Sequence, residues 1–135
     1  MNKWAGWLVV LFGAAHTLLA LTVEEAASHA GDWFSGELWG EDFTAMSPAN
    51  SAYWFSLNSF GPPLVMLGAL ILWLDRRGVV PPRFIGWALV AWAVMDLVIG
   101  GLSPAPMILI AGVLILVGGR RAARSGAPVP SAVKE

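Results

Sequence analysis

The sequence predicts an all-α integral membrane protein, a four-helix bundle with both termini cytoplasmic and one long extracytoplasmic loop. Three observations carry that expectation. Four apolar segments divide the 135-residue chain, which is 57% hydrophobic and 13% charged, outside the usual soluble range. All eight Lys and Arg residues fall on one side of those segments: Lys3, then Arg76, Arg77 and Arg83, then Arg120, Arg121, Arg124 and Lys134. Six of the nine acidic residues, Glu24, Glu25, Asp32, Glu37, Glu41 and Asp42, fall in the loop on the other side. Cytoplasmic loops carry the Lys and Arg excess, so the basic side is inside. The localisation expected is the cell membrane, multi-pass.

The first span is expected at about residues 4–23. Lys3 followed by the apolar run Trp4 to Ala15 imitates a secretory signal. No small-x-small cleavage site follows, since Leu18 stands two residues before Ala20, and His16 interrupts the run; retention as a membrane helix is expected. The loop from Glu24 to Ser51 is long for a connection and is expected to have structure of its own. Glu25 and His29, four apart, suggest that the first helix continues past the bilayer. Farther on, Trp33, Phe34, Leu38, Trp39 and Phe43 alternate with acids, a pattern that suits an interfacial anchor or a lid over an outward-facing pocket.

The second span is expected at about 52–74, with Pro62 and Pro63 in its interior. Such prolines free the carbonyls of Asn58 and Ser59 and kink the helix. Asp75-Arg76-Arg77-Gly78 and Pro81-Pro82 form the cytoplasmic turn. The third span is expected at about 84–99. Gly100 to Pro106 turns into the fourth, at about 102–119, where proline at a helix start is tolerated. Residues 1–124 thus form the membrane domain, and 125–135 read as a disordered cytoplasmic tail.

Several chemistries are excluded or unsupported. The chain has no cysteine, which removes disulfides, thiol catalysis and thiolate metal sites. No basic patch lies outside the cytoplasmic ends, so nucleic acid is not an expected partner. No cofactor motif is present. Glu25, His29 and Asp32 are too few and too hard a ligand set for a metal to be expected.

The polar residues inside the spans line up in depth. His16 lies twelve residues into the first span and Asp96 twelve past Phe84 in the third, each about 18 Å from the inner face at about 1.5 Å per residue. Asn58 lies about 9 Å below the outer end of the second. Ser59 and Thr17 are near this layer, and Trp92 is one turn from Asp96. An ionised Asp96 facing lipid would cost on the order of 3 kcal/mol, so it is expected to face the interior, with His16 its natural partner. Interhelical hydrogen-bond glue explains this layer as simply as a functional site does. Of the tryptophans, Trp4, Trp7, Trp54, Trp73 and Trp87 sit near span ends and read mostly as interface anchors, and only Trp54 and Trp92 are also candidate pocket walls beneath Trp33 and Trp39.

The motifs Gly13-Ala14-Ala15-His16-Thr17, Trp54-Phe55 to Gly61, and Pro82 to Trp87 resemble those of a group of small, uncharacterised bacterial four-helix integral membrane proteins, a domain of unknown function. The resemblance implies a four-helix membrane fold and no activity.

Three functional readings follow. In the first, an outer-leaflet polar pocket takes a lipophilic small molecule, with Asp96 and His16 as an acid/base pair for isomerase- or cyclase-type chemistry. Asn58, Ser59, Trp54, Trp92, Trp33 and Trp39 are its ligand-binding candidates. The second is a proton-coupled transporter of small molecules, which four short helices could form only as a homo-oligomer. The third is a non-enzymatic scaffold whose acidic loop binds a partner protein.

Overall fold

The computed structural model describes residues 1–42, 44–100, 104–124 and 126. Among them the protein is all-α: α1 (Asn2–Thr22), a 3-10 helix (Ala26–His29), α2 (Ala30–Ser35), α3 (Pro48–Phe55), α4 (Gly61–Arg76), α5 (Arg83–Gly100) and α6 (Ala105–Arg124). The expectations for Phe43, for the turn at 101–103 and for most of the tail lie outside the described residues. Two of these helices, α1 with 21 residues and α6 with 20, are long and apolar enough to cross a membrane; only 28% of each apolar stretch is buried within the fold. A soluble core helix of that composition would be mostly covered. Helix α4 has 16 residues and α5 has 18.

Two expectations about local structure are corrected. The first helix does not continue through His29: Glu25 adopts a left-handed φ of 57° and interrupts it. The stretch expected as one kinked span is two helices, α3 and α4, separated by Ser56 to Phe60. Pro62 and Pro63 lie in the first turn of α4 rather than in a helix interior. Their missing N–H groups have no intrahelical partner there, and the fixed φ suits a helix start.

The chain forms two compact units, Gly6–Leu70 on one hand and Met1–Ala5 with Ile71–Glu135 on the other. In the first, α1 and α4 meet through glycines. A Cβ added to Gly13 would lie 2.5 Å from the Gly61 carbonyl oxygen, and one added to Gly68 would lie 2.8 Å from that of Gly6. Both members of each helix are seven residues apart, so they return to the same face. Small residues let membrane helices approach backbone to backbone. In the second unit, α5 and α6 use the same device: a Cβ on Gly112 would come within 2.8 Å of the Gly86 carbonyl oxygen. Ile85, Leu89 and Ala93 of α5 and Ile108, Ala111 and Ile115 of α6 are among its buried side chains.

Candidate functional site

The α3–α4 break is held by a local set of hydrogen bonds. Ser56, fully buried, donates its hydroxyl to the Ala52 carbonyl at 2.6 Å, and the Asn58 amide donates to the Tyr53 carbonyl at 3.0 Å. Ser59 donates its hydroxyl to the Ser56 carbonyl at 2.7 Å and accepts from the Gly61 amide at 3.2 Å, capping α4. The Phe55 carbonyl is met from outside the segment by His16, whose Nε2–H donates to it at 3.3 Å. The His16 ring also stacks on Phe60, with centroids 4.1 Å apart, and meets Phe55 edge-on at 5.5 Å. The carbonyls of Ala52, Tyr53, Phe55 and Ser56 thus find side-chain or turn partners.

Beside this break, α2, the turn after it and α3 enclose a cavity of about 430 Å³. Its walls are Trp33 and Phe34 from α2, Leu38 and Trp39 from the turn, and Asn50, Tyr53, Trp54 and Leu57 from α3 and the break. Five of these eight residues are aromatic. The Trp33 indole N–H donates to the Ala49 carbonyl at 2.9 Å, and its ring meets Tyr53 edge-on, so α2 is fastened across α3. Phe34 and Trp39 are 87% and 89% exposed and form an open rim.

Glu41 clamps the loop to the start of α3. Its Oε1 accepts from the Ser47 hydroxyl at 2.8 Å, and its Oε2 accepts from the Ser47 amide at 3.2 Å and from Asn50 Nδ2 at 2.9 Å. Ser47 caps α3 by accepting from the Asn50 amide, and Pro48 occupies the first turn. The Ser47 hydroxyl, followed by its amide, holds the Glu41 carboxyl below its ordinary value of 4.5. Asp42 is lowered in the same way by the Thr44 amide and then its hydroxyl.

A carboxyl whose folded pKa is depressed contributes stability that is complete above the unfolded value and lost as pH falls through the folded one. Hydrogen-exchange protection of the Ser47 amide is therefore expected to hold at pH 7 and to fall below about pH 4.5. Glu41→Ala is expected to remove it already at pH 7, because it takes away both acceptor oxygens. Equal protection in the variant would exclude the clamp.

Of the residues singled out from sequence, Trp33, Trp39 and Trp54 line the cavity. Asn58 is exposed in the break, and Ser59 is committed to two backbone partners. His16 is engaged at the break and does not line the cavity. Asp96 and Trp92 lie on α5 in the other unit, both half-buried. Among the described residues, no three His, Asp or Glu side chains gather in a way that could hold a metal ion.

Glu41, Asn50, Tyr53 and Leu57 are the site residues that sequence reasoning missed. The available signal was Ser47-Pro48, a helix start that brings Asn50 and Tyr53 onto the turns that follow. No curated protein and no solved structure matches the chain. Residues 1–122 match the model of a family described only as being of unknown function, DUF6463. The chain belongs to DUF6463.

Proposed function

We propose that this chain is a four-span protein of the cell membrane, with both termini cytoplasmic, whose outward-facing aromatic cavity binds a lipophilic small molecule. The observation that carries the reading is the cavity itself, about 430 Å³ walled by Trp33, Phe34, Trp39, Tyr53 and Trp54. Ligand sites are concave and mostly apolar, with a few placed polar groups; Asn50 supplies one.

Membrane immersion of all four long helices is supported by what they leave uncovered. Leu11, Leu18 and Leu19 of α1, Met66 and Leu70 of α4, Val94, Met95, Val98 and Ile99 of α5, and Ile110 and Val113 of α6 are exposed. Apolar surface of that extent is a liability in water and ordinary in lipid. At the basic end the Arg77 guanidinium lies 4.5 Å over the Trp73 ring, an arrangement suited to the headgroup zone. The positive-inside rule then places the loop carrying the cavity outside.

Binding is favoured over acid/base chemistry because His16 gives its Nε2–H to the Phe55 carbonyl and lies outside the cavity lining. The absence of native cysteine makes the test clean. A single cysteine at Leu38, in the cavity wall, is expected to react with a membrane-impermeant maleimide on intact cells, and decyl alcohol is expected to slow that reaction.

A further inference from the structure

We infer that the group this cavity selects is the ammonium of an organic cation, carried on an apolar chain. The inference rests on the lipophilic-pocket reading and adds the sign of the ligand's charge.

The first support is the wall chemistry. Among the described residues, five aromatic side chains bound the cavity and no Lys, Arg or His does. Aromatic faces attract cations, and several faces around one space favour a bulky alkylated ammonium, which sheds its water more easily than a compact one. Leu38 and Leu57 complete the wall with aliphatic surface for a chain.

The second is a polar group left over. Asn50 is 5% exposed, lines the cavity, and spends Nδ2 on Glu41. Among the described residues no donor reaches its Oδ1. The Glu41 carboxylate pulls on the amide from behind and strengthens Oδ1 as an acceptor. With Nδ2 held by Glu41, Oδ1 is what remains of the Asn50 amide to meet a ligand, and the Trp33 N–H is already spent on Ala49.

The third is the field. Residues 6–70 contain six carboxylates and no Lys or Arg. The whole unit that builds the cavity therefore attracts cations and repels anions.

The test uses the full chain purified in a neutral maltoside detergent, titrated with decyltrimethylammonium and with decyl alcohol while tryptophan fluorescence is followed. The cation is expected to bind at least tenfold tighter than the alcohol. Trp39→Leu, at a rim position 89% exposed and so dispensable for folding, is expected to remove most of that preference. Competition by phosphatidylcholine nanodiscs, absent with phosphatidylglycerol, would assign the ammonium to a lipid headgroup; no competition from either would assign it to a free amphiphile. Equal affinity for both probes, or a preference that survives Trp39→Leu, overturns the cation and leaves the lipophilic pocket standing. Binding of neither probe overturns both.

Discussion

Replacing Gly61 by leucine is expected to unfold the Gly6–Leu70 unit. A Cβ at this position would run into the Thr17 hydroxyl and lie 2.9 Å from the Gly13 carbonyl oxygen and 3.3 Å from His16 Cδ2. The reciprocal site is as tight, with the Gly61 carbonyl oxygen 2.5 Å and Leu64 Cβ 2.9 Å from a Cβ at Gly13. Where flexible side chains can move, overpacking costs about 1–3 kcal/mol. Here the obstacles include backbone oxygens of two packed helices, so a loss above about 3 kcal/mol is expected, in the range that marks a specific structural failure. Thermal unfolding in detergent, followed by circular dichroism, reads it. Gly31→Ala is the control, since nothing lies within 4 Å of its Cβ position; it is expected to leave stability unchanged or slightly raised. A Gly61→Leu protein that melts like the parent would mean that α1 and α4 do not cross at Gly13 and Gly61.

The second large effect is expected at His16, through the helix break rather than through proton transfer. Removing its ring leaves the Phe55 carbonyl without its donor and strips one face of Phe60. An exposed hydrogen bond contributes about 1 kcal/mol net and ring stacking about 1 kcal/mol. His16→Ala is therefore expected to lose about 2 kcal/mol, the sum of those two effects. His16→Phe keeps the stacking and is expected to fall between the alanine variant and the parent. Denaturant unfolding in mixed micelles gives the ordering. If both variants are as stable as the parent, His16 does not hold the break.

The same residues show what was legible in the sequence. The ends of α1 and α5 fall within two residues of the apolar segments expected, because apolar runs bounded by charges and by Pro and Gly report helix limits directly; α6 runs five residues past its segment, to Arg124. The break was misread for a local reason: Gly61-Pro62-Pro63 reads equally as a kink in one helix or as the start of another. Ser59, two residues ahead, accepts from the Gly61 amide and so favours a helix start over a kink. The glycine crossing was legible in principle, since Gly6 and Gly13 share a spacing with Gly61 and Gly68, but that pattern means little until the two helices are known to be antiparallel neighbours.

The cavity was legible only in part. Tryptophans in an acidic loop suggested a lid or an anchor, and Trp33, Trp39 and Trp54 do gather around one space. The pairing of Glu41 with Ser47 and Asn50, which seats α3 and turns Asn50 inward, joins residues six and nine positions apart through an irregular loop. No periodicity encodes such a clamp. His16 stood out as an ionisable residue inside an expected membrane span, where function is the default reading. Its neighbours give it a structural task, which only the position of the break reveals.

The most direct test of an outward-facing lipophilic cavity is the labelling rate of a single cysteine at Leu38, measured on intact cells with a membrane-impermeant maleimide, with and without decyl alcohol. The expected result is labelling without permeabilisation, slowed severalfold by the alcohol. A cysteine that reacts only after the cells are permeabilised, or one whose rate the alcohol leaves unchanged, would contradict it.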